Sequence, residues 1–199
     1  MTIFGITGGS GAGKSTALRV LADMGALVID CDTVYHEMLA AGGPMLEAIG
    51  TRFPGTVVAG QLQRKALGEI VFHHPTELAA LNQITHSHVR EEVARRIAAH
   101  RTTGGTLAAI EAIALIESGI ATMCNIVIGI LAPPNLRTQR LVTREGLEPT
   151  YAKARITSQK PDSFFQTHCD YILENKHQNQ EAFITTCQER FKQLLSTLQ

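Results

Sequence analysis

One stretch near the start of the chain decides its fold: Gly8-Gly9-Ser10-Gly11-Ala12-Gly13-Lys14-Ser15. It fits the pattern G-x-x-x-x-G-K-[ST], in which glycines let backbone N–H groups converge on an anion without an obstructing Cβ atom. Before it, Thr2–Ile6 is short and β-branched, which indicates a buried strand. After it, Thr16–Ala22 has the spacing of a helix, whose N-terminus adds partial positive charge and unpaired donors. This context predicts a loop that binds phosphate groups.

The side chains of the loop predict how it would hold a nucleotide. Lys14 is expected at a solvent-facing helix start, from which it would reach the β- and γ-phosphates. The hydroxyl of Ser15 is expected to bind Mg²⁺, and Thr16 to pack against or cap the first helical turn. The residues predicted to form the nucleotide and metal site are Gly9, Ser10, Gly11, Ala12, Gly13, Lys14, Ser15 and Thr16.

Length and charge limit the remaining classes of function. At 199 residues the chain has the size of one compact unit with room for a small inserted lobe. Its 18 Lys and Arg residues balance 18 Asp and Glu residues, so no overall field favours nucleic acid or an anionic membrane. No run approaches the 18 or so apolar residues that predict a membrane span. Charge and composition therefore favour neither a nucleic-acid nor a membrane partner, and we expect a monomer or a weak homo-oligomer.

Cysteine usage and the start of the chain indicate the compartment. The four cysteines are scattered and form no C-x-x-C motif, which is typical of reduced, mostly buried thiols in a cytosolic protein. The chain enters the first strand directly, without the basic and apolar regions of a signal peptide. These features predict a cytoplasmic protein.

Strands alternate with helices along the chain, which predicts an α/β fold with a parallel sheet flanked by helices. The expected strands are Thr2–Ile6, Ala26–Asp30, Thr106–Glu111, Ile126–Leu131 and Tyr171–Leu173. The expected helices after the first are Thr33–Ala41, several amphipathic helices within 44–103, of which His88–His100 is the clearest, Leu136–Arg144, Pro149–Gln159 and Glu181–Leu198. Because ligands of such sheets bind beyond the carboxyl ends of the strands, we expect 44–103 to be a helical lobe inserted at that edge.

Two carboxylates follow the second strand. Asp30 and Asp32 are two residues apart, and residues at this spacing face the same side of an extended chain. Beside a phosphate loop, one could hold a metal-bound water and the other could accept a proton from an attacking hydroxyl. The sequence leaves a second interpretation open, in which Asp32 caps the helix Thr33–Ala41.

Other acidic and imidazole groups offer weaker indications. Glu111, at a strand end, could bind Mg²⁺, or it could be a loop acid without a metal contact. The paired histidines His73 with His74 and His86 with His88 lack the spacing of zinc ligands on one helix face. Among these histidines, His86 is the best candidate for contacting a substrate.

The segment 137–160 is rich in cations, with six basic and two acidic residues. Such a run is either a solvated helical face or a surface that binds anions. Its position in a chain with a phosphate loop favours anion binding.

The ordered motifs from Gly5 to Asn175 resemble those of the dephospho-CoA kinase family. Gly5–Thr16 is similar to that family's GLTGGIGSGKST, and Gly25–Asp32 is similar to its G-x-x-V-I-D-A-D. The further stretches that resemble family motifs are Gln63–Leu67, Ile70–Phe72, His86 with Arg90, Arg140 with Arg144 and Gly146, Gln159–Pro161 and Asp170–Asn175.

The resemblance implies a nucleoside-kinase-like P-loop core, an acceptor-binding lobe over 44–103 and a mobile lid over 137–160. It implies that ATP, with Mg²⁺, phosphorylates the ribose 3′-hydroxyl of dephospho-CoA in the last step of coenzyme A synthesis. Asp32 then takes the role of general base, while Arg140 stabilises the phosphates together with Lys14. The same resemblance places Asn175 in the nucleotide site.

Two alternatives stay open at this point: another small-molecule or nucleoside-monophosphate kinase on the same core, and a non-catalytic nucleotide-binding relative. The retention of Lys14, Ser15, Asp32 and Arg140 argues against the latter.

The sequence also departs from the family pattern. Ile113 and Ser87 stand where the family has proline, and Phe164–Phe165 stand where it usually has a Glu-Lys pair. We expect all three departures to surround the acceptor and to raise the KM for dephospho-CoA while leaving the KM for ATP ordinary.

Overall fold

The computed structural model describes residues 1–198, and a parallel sheet lies at its centre. The strands are β1 (Thr2–Thr7), β2 (Leu27–Asp30), β3 (Val57–Val58), β4 (Gln61–Leu62), β5 (Leu107–Glu111), β6 (Ile126–Leu131) and β7 (Tyr171–Glu174). Five of them form the sheet in the order β2-β5-β1-β6-β7, while β3 and β4 pair as a separate hairpin. Every pair within the sheet is parallel, as the alternation of elements predicts.

Helices connect these strands. They are α1 (Lys14–Asp23), α2 (Cys31–Ala41), α3 (Pro44–Arg52), α4 (Arg64–Val71), α5 (Pro75–Thr102), α6 (Pro134–Glu145), α7 (Pro149–Thr157), α8 (Asp162–His168) and α9 (Gln180–Leu198), with a short 3₁₀ helix at Ile120–Met123. Within residues 1–198, no helix has both the length and the apolar character that crossing a bilayer requires.

The strand register brings the carboxyl ends of neighbouring strands to one edge. Asp30 at the end of β2 pairs with Glu111 at the end of β5, and Glu111 also pairs with Ile6 of β1. On the other side of β1, Thr7 pairs with Gly129 of β6. The glycine loop that follows β1 therefore emerges beside the two acidic strand ends.

Alternating side chains divide the core between the two faces of the sheet. Phe4 and Ile6 of β1 face one layer, whereas Ile3 faces the other, as the period of a strand requires. The first layer is closed by buried residues of α1 and α9: Leu18, Val20, Leu21, Phe183, Cys187 and Phe191. The second is closed by buried residues of α2 to α5: Val34, Met45, Ile49, Leu67, Val71, Val89, Val93 and Ile97.

The stretch 44–103 shares its core with the sheet. Its buried side chains belong to the same cluster as Ile29 of β2 and Ile110 of β5. The helix α5, of 28 residues and about 42 Å, forms the second half of this stretch as one element. It continues well before the clearest predicted piece, His88–His100, because Pro75 can begin a helix at its first turn.

The β3–β4 hairpin, the helix α8 and the 3₁₀ helix Ile120–Met123 were not predicted from the sequence. The hairpin of β3 and β4 turns at Ala59 and Gly60, which both have positive φ angles, and Ala-Gly lacks the usual Asn-Gly pattern of such a turn. The helix α8 has seven residues, too few for a periodic pattern to stand out.

We expect Phe191→Ala to lower the free energy of unfolding by about 3–5 kcal/mol. Phe191 is fully buried and its ring centroid lies 5.8 Å from that of Phe4, so truncation leaves a cavity between α9 and the sheet. Phe72→Ala is the matched control, since Phe72 is 81% exposed. Urea unfolding of the two variants measures the difference, and equal losses would contradict this placement of the core.

Candidate active site

The phosphate loop leaves β1 through glycines that no other residue could replace without displacement. Gly8 has a φ of 136°, and a Cβ there would collide with the carbonyl oxygen of Ile130. Gly13 has a φ of 115° and precedes the first residue of α1. Among residues 1–198, the N–H groups of Gly13, Lys14 and Ser15 have no protein acceptor. The loop and helix start therefore present free donors to an anion, as the sequence predicts.

A cavity of about 430 Å³ lies beside these donors. The loop and α1 supply Gly13, Ser15 and Thr16 to its lining, and Ser15 is exposed there. Helix α6 supplies Arg140, and the segment after β7 supplies Asn175 and Gln180. The cavity has the size of a small-molecule site and is bordered by anion-binding groups, which fits a nucleotide.

Lys14 lies inside the site, so the prediction that it faces solvent is wrong. Its Nζ lies 3.4 Å from the carbonyl oxygen of Gly9 and 3.4 Å from Oε1 of Glu111, and both ionic side chains are largely buried. Burial raises the pKa of the Glu111 carboxyl, and Lys14 acts in the opposite direction. The ion pair fixes the ammonium group at the carboxyl edge of the sheet, next to the loop.

The structure shows which of the two aspartates caps α2, a question that the sequence left open. Oδ1 of Asp30 accepts from the N–H groups of Asp32 and Thr33 at 2.9 and 3.3 Å, and its Oδ2 accepts from the Thr33 hydroxyl. Asp30 is therefore the N-cap of α2, and the interpretation of Asp32 as the cap is wrong. Since the helix begins at Cys31, Asp32 lies in its first turn, exposed.

A second cavity, of about 260 Å³, contains Asp32. Its other polar lining includes Tyr35 of α2 and His86 of α5, while Ile113 lies on the apolar side. Burial lowers the pKa of His86, which the nearby Glu117 only partly opposes, so the imidazole is neutral near pH 7. His86 shares this cavity with Asp32, and its contact with a substrate stays a prediction.

Arg140 and Asn175 both donate hydrogen bonds to the phosphate loop. Nη1 of Arg140 donates to the carbonyl oxygens of Gly11 and Ala12 at 3.0 and 3.3 Å, and Nη2 donates to Asn175 Oδ1 and the His177 carbonyl. Nδ2 of Asn175, which is almost fully buried, donates to the Ala12 carbonyl at 2.8 Å. Although both residues border the nucleotide cavity, their hydrogen bonds support the loop backbone.

Two further loop contacts come from residues to which sequence reasoning gave no role. Arg137, counted above among the cations of 137–160, is 5% exposed and donates to the carbonyl oxygen of Ser10. Gln159 bonds to both the backbone and the hydroxyl of Ser10. The only sequence indication was that Gln159 falls within a stretch resembling a family motif, Gln159–Pro161.

The three departures from the family pattern lie in different places. Ile113 lines the cavity of Asp32, whereas Ser87 and Phe164–Phe165 lie outside its lining, and the expectation that all three surround the acceptor stays a prediction. The Ser87 hydroxyl donates to the carbonyl oxygen of Ile84 within α5. Phe165 is buried against Gly129 of β6, and Phe164 stacks on His168.

The donor groups at the loop fit a magnesium ion better than a softer metal. Mg²⁺ prefers oxygen ligands, which the hydroxyl of Ser15 and the carboxylate of Glu111 offer. In the part of the chain that the structure describes, no group of three His, Cys, Asp or Glu side chains is placed to hold a metal. Burial, with a contribution from Glu111, raises the pKa of the Cys31 thiol to about 12, which keeps it neutral.

Comparisons with known proteins identify the family of the chain. The family model described as dephospho-CoA kinase matches residues 2–181. A dephospho-CoA kinase of Moorella thermoacetica is 38% identical over 162 residues, covering 80% of this chain and 76% of its own. One from Corynebacterium diphtheriae is 33% identical over 177 residues, covering 88% of each chain.

Solved structures show the same fold. TT1252 from Thermus thermophilus matches with a TM-score of 0.79 and 28% identity, covering 100% of this chain and 98% of its own. Dephospho-CoA kinase from Campylobacter jejuni matches with a TM-score of 0.69 and 25% identity, covering 99% and 98%. These matches show that the chain belongs to the dephospho-CoA kinase family.

Proposed function

We propose that this protein transfers the γ-phosphoryl group of ATP to the ribose 3′-hydroxyl of dephospho-CoA. The observation that carries the proposal is the pair of cavities at the carboxyl edge of the sheet. One is bordered by the phosphate loop. The other contains the exposed carboxylate of Asp32, which does not cap a helix. Membership of the family supplies the identity of the acceptor.

The phosphate side of the reaction rests on positive charge placed before the substrate arrives. The free N–H groups at Gly13, Lys14 and Ser15 bind phosphate oxygens, and the ammonium of Lys14 stabilises the charge that develops on the β/γ-phosphates. Arg140 adds a second cation at the cavity wall while its guanidinium stays on the loop carbonyls. Mg²⁺, held by Ser15 with Glu111 near, would neutralise phosphate charge.

Asp32 accepts the proton of the attacking 3′-hydroxyl. Its neighbour Asp30 uses both carboxylate oxygens as the N-cap, so the cap also fixes the first turn that carries Asp32. The acceptor then lies against Tyr35 and the neutral His86, which can donate or accept hydrogen bonds. These contacts orient the hydroxyl without adding a competing charge.

Two segments frame the substrates in this proposal. Helix α5, within 44–103, supplies part of the wall of the Asp32 cavity, which supports an acceptor-binding role for that stretch. Segment 137–160 contributes Arg140 and Arg144 to the nucleotide cavity, which supports a lid role. Within this lid, Glu145 forms ion pairs with Arg144 and Arg155, so part of the cationic repulsion is already relieved.

Transfer to dephospho-CoA should require ATP and Mg²⁺ and should exceed transfer to other alcohols. A coupled assay for ADP, run with dephospho-CoA, shikimate and nucleoside monophosphates as acceptors, measures this directly. ATP binding without transfer to any of these acceptors would leave a nucleotide-binding protein and reject the proposed reaction.

Asp32→Asn should lower kcat by roughly 10²-fold or more, because an amide cannot accept the proton of the acceptor. The KM for ATP should change little, since Asp32 is not part of the nucleotide cavity. The contrasting variant is Asp30→Ala, which removes the N-cap and should cost about 1 kcal/mol of stability. A steady kcat in Asp32→Asn would reject this residue as the base.

ATP should protect the middle of segment 137–160 from proteolysis. The phosphates neutralise cations of α6 and bring the end of α6 beyond Arg140, together with α7, closer to the nucleotide. Limited trypsin digestion with and without a non-hydrolysable ATP analogue and Mg²⁺ compares cleavage at Arg144, Lys153 and Arg155, with exposed Lys192 of α9 as an internal reference. Equal cleavage at the three lid sites in both states would contradict a lid.

A further inference from the structure

Three polar atoms of Ser10 are bonded by side chains from the two ends of segment 137–160. The N–H of Ser10 donates to Oε1 of Gln159 at 2.9 Å, and Nε2 of Gln159 donates to the Ser10 hydroxyl at 2.7 Å. The Ser10 carbonyl accepts from Nε of Arg137 at 2.9 Å. Nη2 of Arg137 also donates to Oε1 of Gln159 at 2.7 Å, which closes a ring of four hydrogen bonds. We refer to Ser10, Arg137 and Gln159 as the loop ring.

Two of the three residues of the loop ring are buried, and Gln159 is half-buried. Ser10 and Arg137 are each 5% exposed. Burial lowers the pKa of the Arg137 guanidinium, and Asp162 only partly opposes it. Because a buried charge is costly unless it is hydrogen-bonded, the bonds from Arg137 to Ser10 and Gln159 compensate for desolvation. A contact of this kind constrains the backbone more than a solvated surface pair does.

The glycines of the phosphate loop make room for the ring. A Cβ at Gly9 would overlap the guanidinium of Arg137, and one at Gly11 would lie 2.7 Å from the Arg137 carbonyl oxygen. Gly9 and Gly11 therefore allow α6 to approach the loop closely, in addition to leaving room for the phosphates.

We infer that Arg137 and Gln159 are positioning residues that set the phosphate loop through Ser10 and pin both ends of the lid to it. Arg137 lies in the first turn of α6, and Gln159 lies two residues beyond the end of α7. Arg140, which lies between them, is also bonded to the loop, so movement of the lid is confined to the chain between Arg140 and Gln159. Neither Arg137 nor Gln159 lines the nucleotide cavity or the Asp32 cavity, so both act through the loop.

This assignment predicts a specific division of kinetic effects, which rests on the proposed kinase function. Loosening Ser10 disturbs the donors that receive the phosphates, so the KM for ATP rises and kcat falls. The Asp32 cavity, in which the acceptor is proposed to bind, shares no residue with the loop ring, so the KM for dephospho-CoA is unchanged. A residue that merely supported the fold would weaken stability without this division.

The test compares Gln159→Leu, Gln159→Glu and Ser10→Ala with Gln166→Leu, an exposed glutamine on α8 outside both cavities. In nucleotide-free protein, amide hydrogen exchange at Ser10 should quicken roughly tenfold in Gln159→Leu, since its N–H acceptor is lost. Gln159→Glu should restore slow exchange, because its carboxylate keeps the acceptor for Ser10 and Arg137. The control should match the parent protein in both exchange and kinetics.

In the kinetic arm, Gln159→Leu should lose roughly tenfold or more in kcat/KM for ATP and keep its KM for dephospho-CoA. Unchanged Ser10 exchange in Gln159→Leu would overturn the pinning, and unchanged ATP kinetics would overturn the positioning role. If the parent protein did not bind ATP but Ser10 exchange still quickened in Gln159→Leu, the proposed function would fail while the pinning held.

If Gln159→Leu did not fold, Ser10→Ala, which removes only the hydroxyl bond, should still raise the KM for ATP. An unchanged KM would overturn the inference.

Discussion

The active site depends on one backbone constraint: a loop that turns its N–H groups toward an anion must turn its carbonyl oxygens away and satisfy them elsewhere. Four successive carbonyls of this loop have partners outside it or at its end. Gly9 accepts from Lys14, Ser10 from Arg137, Gly11 from Arg140, and Ala12 from Arg140 and Asn175. Each unmet carbonyl in this buried place would cost on the order of 1–3 kcal/mol. The outer partners therefore hold open the cradle that the glycines only permit.

This constraint explains why three cations surround a loop meant for phosphate. Arg137, Arg140 and Lys14 are bonded to backbone carbonyls, and Glu111 balances one of the charges. Their positive field is thus in place before a nucleotide binds, with little reorganisation to follow. The basic count of segment 137–160 gave the sign of this field but could not show that Arg137 is buried, because that depends on a contact 127 residues distant in sequence.

The sequence was most informative where chemistry is local. The strand, glycine loop and helix that begin the chain are found as predicted, since the glycines and Lys14 act within one continuous segment. The aspartates were ambiguous because capping depends on the exact helix start: Cys31 begins α2, two residues earlier than the periodicity indicated. Gln159 could not be assigned from the sequence, since its role exists only where the end of α7 meets Ser10.

The same reasoning applies to the unusual residues of the chain. Phe165 packs on Gly129 of the sheet, so this phenylalanine has a packing role in α8. Ile113 borders the Asp32 cavity, and its structural link is its carbonyl oxygen, which accepts from the Thr7 hydroxyl at 3.2 Å. Proline offers the same carbonyl, although its ring fixes φ and it lacks the N–H. An isoleucine can therefore replace the family's proline here while the bond that anchors this wall of the cavity to β1 is kept.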